Sequence, residues 1–367
     1  MRTMLRLPAL VCAMTASLAL AGNALAKTPQ LIVRGAQATG ASATTTVEVH
    51  GATTDAAPLK ISIYMPTGYT ANLSQAVGTQ IGTVTDKIQL LASSADAVTD
   101  ANGTIFVADK SLSALQASAT QCTDTPTHSA IWLLHVVVSG QTLDVPVYVD
   151  PTTGAEAAFS SAQLVLCLPN PYEQALPGTR APGGAKIFDT RMTLAAGVLT
   201  NPSTAGSYVW RTVVTPWTAN GATSKPAGII EAQSIVAIPA SLSLKATVKT
   251  ITHKRHGRKT VTNSVLLSGK LLENLRGVAA AKITIYANGK TTGSTATNAT
   301  GSFSRRLGLD KKASFNVRAT VPTRETACVS PLPAASVPAG CVSATLAGYR
   351  ISSSTVTAMA RFASILR

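Results

Sequence analysis

The sequence predicts an all-β protein: two or three β-sandwich domains in tandem after an N-terminal signal peptide. Composition points there first. Aromatics make up 4% and charged residues 13% of the chain, while 26 Gly and 19 Pro interrupt a background of Thr, Ser, Ala and Val, which suits many short strands joined by tight turns. Periodicity agrees, because apolar residues recur in short alternating runs. The one stretch approaching a helical period, Ser94 to Ala117, is broken by Asn102-Gly103. Turn chemistry is the third observation, with Gly, Pro and Asn spaced between the apolar runs along the whole chain.

Met1 to Ala26 has the parts of a secretory signal. Arg2 and Arg6 precede an apolar run from Leu7 to Ala21, and Ala24-Leu25-Ala26 offers small residues for cleavage before Lys27. The run is shorter than the ~20 residues of a spanning helix, so a cleaved export signal is the expectation, and the mature protein is expected to be secreted. Cys12 follows Val11 where a lipid-anchoring signal needs a small residue, and no Arg-Arg pair marks the twin-arginine route. Four cysteines remain: Cys122, Cys167, Cys328 and Cys341. They allow three connectivities, and the domain layout favours Cys122 with Cys167 and Cys328 with Cys341. No Cys-x-x-Cys motif supports a redox or zinc role.

Residues 27–168 form the expected N-terminal sandwich, with strand signals at Thr44 to His50, Leu59 to Met65, Ile81 to Leu90, Ala130 to Val138, Thr142 to Val149 and Gln163 to Leu168. The last two before the end pair as a hairpin through Ser139-Gly140-Gln141. Residues 169–185 crowd Pro and Gly and read as a linker. A small β domain is expected over 186–239, too short to bury a core alone and so packed on a neighbour. Residues 240–350 carry the remaining strand signals, and 351–367 a final strand and a tail without a spanning segment or sorting motif.

Within 240–350, Lys282-Ile-Thr-Ile-Tyr-Ala-Asn288-Gly289-Lys290 followed by Thr297-Asn298-Ala-Thr-Gly301-Ser-Phe303 resembles the bacterial Ig-like and prealbumin-like modules of secreted and surface proteins. That resemblance implies an Ig-like sandwich with a type I′ turn at Asn288-Gly289 and a tight return at Gly301. Ile61-Ser-Ile-Tyr64-Met-Pro66, Asp150-Pro151-Thr-Thr-Gly154 and Tyr208-Val-Trp210-Arg211 resemble a family of exported, commonly actinobacterial proteins, from which no functional residue carries over.

Charge is the strongest functional signal. Ser241 to Arg367 holds 19 Lys and Arg against 3 Asp and Glu, whereas Lys27 to Ala240 holds 10 against 13. The C-terminal third should therefore seek polyanions. His253-Lys254-Arg255-His256-Gly257-Arg258-Lys259 reads as an exposed basic loop, and with Lys245, Lys249, Arg305 and Arg306 it makes a candidate polyanion surface. Nucleic acid fits poorly, because Tyr286, Phe303 and Phe315 sit in strands where burial, not base stacking, is expected. An anionic wall polymer or acidic envelope surface fits better.

Other chemistry is thin. The cations around His253 and His256 oppose a metal, Glu48 and His50 read as a surface strand pair, and Asp100-Ala-Asn102-Gly103 with Asp109 matches only part of a calcium loop, reading as an Asx-type turn, with a weak surface calcium site at Asp96, Asp100, Asn102 and Asp109 as the alternative. Gly-x-Ser-x-Gly, His-Glu-x-x-His and a phosphate loop are absent, so neither a catalytic site nor a cofactor is expected. Tyr208, Trp210 and Trp217 serve a core or, alternatively, a sugar-binding face. The sequence thus points to a non-catalytic secreted envelope protein with an attachment or spacer role. Its rivals are an extracellular hydrolase with a basic docking domain and a carbohydrate or small-ligand binder.

Overall fold

The computed structural model describes residues 28–91, 97–138, 140–171, 185–218, 224–255 and 258–360. The signal segment 1–26, most of the 169–185 stretch, His256, Gly257 and the tail beyond 360 lie outside the described residues. The first strands are β1 (Gln30–Arg34), β2 (Thr45–His50), β3 (Pro58–Pro66), β4 (Thr70–Ala71), β5 (Gln80–Leu90) and β6 (Ala97–Val107). After helix α1 (Ser113–Thr123) come β7 (Ala130–Val138), β8 (Gln141–Pro151), β9 (Ser160–Cys167), β10 (Ala185–Leu194), β11 (Leu199–Thr200), β12 (Gly206–Pro216) and β13 (Ile230–Ile238). The C-terminal part holds β14 (Ala240–Leu242), β15 (Lys245–Arg255), β16 (Arg258–Glu273), β17 (Arg276–Gly277), β18 (Lys282–Ala287) and β19 (Lys290–Ala296). It ends with β20 (Ser302–Gly308), β21 (Ala313–Val321), β22 (Arg324–Thr326), β23 (Cys341–Leu346), β24 (Tyr349–Ser352) and β25 (Val356–Ala358).

The protein is thus all-β with several sheets. The helical window of the sequence resolves into strand β6 and a helix that starts only at Ser113, so Asn102-Gly103 lies within a strand instead of breaking a helix. A 13-stranded sheet runs in the order β1-β2-β10-β5-β6-β7-β8-β9-β3-β12-β13-β23-β22. Alternation decides which face each residue serves: in β5, Val84, Asp86 and Ile88 turn inward while Thr83, Thr85 and Lys87 stay exposed. Inward residues from β1 through β13 share one core around Leu31, Ile63, Ile105, Trp132, Leu164 and Trp210, so the sheet rolls around itself.

Rolling leaves β1 with one free edge. Buried hydroxyls satisfy it: Ser234 Oγ accepts from Val33 N at 2.9 Å, and Thr345 Oγ1 and Ser343 Oγ donate to the carbonyls of Leu31 and Pro29 at 2.6 Å each. Ser234 and Thr345 are register partners on β13 and β23, so these two strands close the roll against the first.

This topology redraws the expected boundaries. Strands of 186–239 form no sheet of their own, since β10 inserts between β2 and β5 while β12 and β13 continue from β3. The segment was too short to bury a core, and it does so by sharing one. Likewise β23, expected within the C-terminal sandwich, leaves it to pair in parallel with β13, and only β22 covers its outer edge.

Both expected disulfides form, Cys122–Cys167 and Cys328–Cys341. The first pins α1 to β9 over Ile131, Tyr148 and Val165. The second closes a loop whose Val337 and Leu332 pack on Tyr64 and Val213. Beneath it Arg211 Nη1 donates to Glu231 at 2.5 Å, Gln233 Nε2 donates to the same carboxylate at 2.7 Å, and Glu231 accepts from Leu332 N at 2.8 Å. Val329 N donates to Gln233 Oε1 at 2.8 Å. The buried charges are therefore paired, and the loop is held by their hydrogen bonds.

The rest of 240–360 forms two further five-stranded sheets. One holds β14, β16, β15, β17 and β20, the other β19, β18, β21, β24 and β25, and they enclose a second core around Leu267, Ile285, Phe303, Phe315 and Val317. Asn288 and Gly289 both take positive φ, 50° and 78°, joining Ala287 to Lys290 as the I′ turn requires. Gly301 takes φ 76° just ahead of buried Phe303. In the β7–β8 hairpin Val138 pairs with Gln141, one residue tighter than expected.

Asp86 gives the first prediction. It faces the core, bonded to Thr190, and burial, reinforced by the Asp189 charge, pushes its carboxyl up to about 6. A raised carboxyl favours the fold at low pH and weakens it as pH rises through 6. Asp86→Asn should gain on the wild type between pH 4 and 7 by about 2 kcal/mol in denaturant melts. Removing Cys328 and Cys341 together by serine should cost about 2–3 kcal/mol. Glu231→Leu, which strands Arg211, should cost about 3–5 kcal/mol in the same assay.

Candidate polyanion-binding surface

Strands β15, β16 and β20 bring part of the predicted basic set together. Val248 opposes Val265 and Ala246 opposes Leu267 on the inner face, so the intervening residues face out. Three outward rows cross the ladder: Lys245–Ser268–Ser304, Thr247–Leu266–Arg306 and Lys249–Ser264–Gly308. Lys245, Lys249 and Arg306 thus surround Leu266 on one exposed face. Lys270 adjoins them, paired with Ser302. Arg305 does not join, since its register partner Leu267 belongs to the core side.

The basic loop is not a loop. Backbone pairing continues to Lys254 with Lys259 and Arg255 with Arg258, so the segment is the end of a β-hairpin. Thr and Val on both sides of the cations (Thr250, Thr252, Thr260, Val261) favour extended chain, and the charge run masked that signal. The side chains of Lys254, Arg255, Arg258 and Lys259 lie outside the described residues.

The opposite sheet is also cationic, and because its cations are scattered along the chain no run in the sequence marks them as one face. Lys282, Arg318 and Arg350 take outward positions of β18, β21 and β24, with Lys282 and Arg350 in one row through Thr320. The Arg318 guanidinium lies 5.5 Å from the Tyr286 ring centre. Among the described residues, no Lys or Arg of 240–360 forms an ion pair, and every ion pair found lies between Arg34 and Glu231.

One of those pairings is a cluster on the outer face of β2 and β10. Glu48 takes Arg34 Nη1 at 2.5 Å, His50 Nε2 at 3.1 Å and Arg191 Nε at 3.5 Å, while His50 Nδ1 meets Asp189 at 2.8 Å. The register aligns these residues, since Glu48 opposes Arg191 and His50 opposes Asp189. The Glu48 and His50 pair is therefore part of a larger network. Burial pushes Glu48 up, but the hydrogen bonds from His50 and Arg34 outweigh it and hold the carboxyl at about 2. Asp189 and then Glu48 raise His50 to about 9.

The remaining candidates resolve structurally. Asp100 and Asn102 lie in β6, so they form neither a calcium loop nor the expected turn, whereas Asp109 makes an Asx turn with Ser111 N at 2.9 Å. Trp210 is fully buried, with Tyr69 edge-on at 5.0 Å and Tyr208 against Tyr69, so this cluster fills the rolled core. A hydroxyl, imidazole and carboxylate do line up: Thr123 Oγ1 is 3.0 Å from His128 Nε2, and His128 Nδ1 is 2.5 Å from Asp150. The Thr123 hydroxyl, however, is committed to the carbonyls of Ala119 and Thr125 at 2.9 and 3.1 Å, and the imidazole lies on Tyr148. This set fastens the end of α1 to β8. Comparison with known families finds no model that matches the chain, and comparison with curated proteins finds no match.

His50 should titrate near pH 9, readable from its imidazole NMR shifts. A raised imidazole stabilises the fold fully below its ordinary 6.5 and loses that contribution as pH rises through 9. His50→Gln should flatten the stability profile between those values.

Proposed function

We propose that the protein acts outside the cytoplasm as a non-catalytic cell-envelope protein, an attachment or spacer element whose C-terminal sandwich, an Ig-like module by its sequence resemblance, holds anionic surface polymer. The observation that carries this reading is the state of the C-terminal cations. Lys245, Lys249 and Arg306 on one sheet and Lys282, Arg318 and Arg350 on the other are exposed and make no ion pair among the described residues, so their field reaches solvent. In the rolled sheet Arg34, Arg191 and Arg211 each meet a carboxylate instead. Two disulfides fit an oxidising compartment, and no helix among the described residues is long and apolar enough to cross a membrane.

The test uses the whole mature chain. Cutting at residue 240 would take β23 from β13 and open the loop over Arg211 and Glu231, so an isolated C-terminal piece would report misfolding as well as binding. Sedimentation with purified cell wall over a salt series, with acid-stripped wall and DNA as comparators, should show retention that needs the anionic polymer and falls steeply with salt. The triple variant Lys245→Glu, Lys249→Glu and Arg306→Glu should lower retention at ~0.1 M salt by roughly tenfold. Wild-type protein that sediments equally with stripped wall, or not at all, would overturn the reading.

A further inference from the structure

We propose that the cleft between the rolled sheet and the C-terminal sandwich is a selective site for one anionic group of a hydroxyl-rich polymer, a uronate or a phosphodiester-linked polyol, with Arg34, Arg191 and Arg350 as its anion ligands. This deepens the polymer-binding reading and rests on it. The cleft has a volume of about 760 Å³, walled on one side by β1, β2 and β10 and on the other by the end of β21 and the start of β24. That lies within the roughly 300–1,000 Å³ of small-ligand sites and is large enough for a sugar-sized unit.

Its lining has the chemistry of such a ligand. Three arginines and one carboxylate line it, and that carboxylate, Glu48, is nearly buried and already engaged by Arg34, His50 and Arg191. Glu48 fixes Arg34 on one side while Thr323 Oγ1, from the opposite wall, takes its other amino group at 3.3 Å. Arg191 approaches Glu48 only through Nε at 3.5 Å, and its Nη groups make no hydrogen bond among the described residues. Arg350 is exposed and has no carboxylate partner among them. Planar guanidinium groups held this way suit bidentate capture of carboxylate or phosphate oxygens. The rest of the wall offers threonine side chains at Thr44, Thr46 and Thr320, partners for a polyol.

The cleft also opens onto a path. Arg350 pairs across Thr320 with Lys282, and Ser352 pairs across Arg318 with Thr284, so the row of cations leads outward over β24, β21 and β18. At ~4.8 Å per strand, Arg350 and Lys282 stand roughly 10 Å apart, a spacing that suits successive charges of a linear polymer. A nucleic acid strand would need open aromatic faces, and here Tyr349 is buried while Arg318 lies over Tyr286.

The test is titration calorimetry of the mature protein with oligo-galacturonate and with oligo(glycerol phosphate), beside the wall assay. Arg191→Gln and Arg350→Gln leave the Arg34–Glu48 pair in place and should keep the wild-type melting temperature. Each should weaken the oligomer that binds by about five- to tenfold. In the background of the Lys245, Lys249 and Arg306 triple variant the fold-losses from Arg191→Gln and Arg350→Gln should persist, since the residues of the triple variant lie on the other sheet. Whichever oligomer binds identifies the anion. Wall retention with oligomer binding unchanged in both Arg variants would overturn the cleft while the polymer reading stands. Wall retention with neither oligomer bound would do the same. Loss of wall retention itself would overturn both.

Discussion

The free edge of β1 is the constraint on which the rest depends. A long sheet that curls around one core must still satisfy the backbone groups of its first strand, which are buried by the curling. Here Ser234 and Thr345 supply the hydrogen bonds, one to an N–H and one from its own hydroxyl to a carbonyl. Thr345 comes from a strand far along the chain, so closing the roll draws β23 out of the C-terminal sandwich and fixes that sandwich against β1 and β2. The cleft between them, with Arg34 bridging to Thr323, is a consequence of that closure.

Charge has two uses in this fold, separated by partnering. Arg211 and Glu231 are buried under the Cys328–Cys341 loop, where the two charges compensate one another and their remaining hydrogen bonds orient the loop. Leaving either alone would be costly, because a lone buried ion keeps its desolvation penalty without the attraction. Lys245, Lys249, Arg306, Lys282 and Arg350 are exposed with no ion-pair partner among the described residues, which costs little stability and leaves their charge open to a polyanion. Around Glu48 the two uses meet, since one carboxylate serves three cations and cannot saturate them all.

Local chemistry was legible in the sequence where a short stretch decides the outcome. Asn288-Gly289 permits two successive positive φ angles and little else, and the β5 alternation places Val84 and Ile88 inward before any partner is known. The hairpin end at Arg255 and Arg258 was not legible, because cations there resemble a solvated loop unless the register with the partner strand is known. The basic set was legible as a charge excess but not as a surface. Arg305 and Arg306 are neighbours in sequence, yet the period of two puts them on opposite faces.

By itself the sequence determined the all-β class, most strand positions and the segregation of charge, since each follows from composition, spacing or local dihedral preference, while it favoured one of three cysteine connectivities that the structure then decided. Only the tertiary structure decided that β10, β12, β13 and β23 share one rolled sheet, and that Arg34, Arg191 and Arg350 meet around one cleft. Strand pairing carries almost no local signature: the backbone groups that pair are the same in every strand, and the partner is chosen by which closure buries the most apolar surface with no hydrogen-bonding group left over.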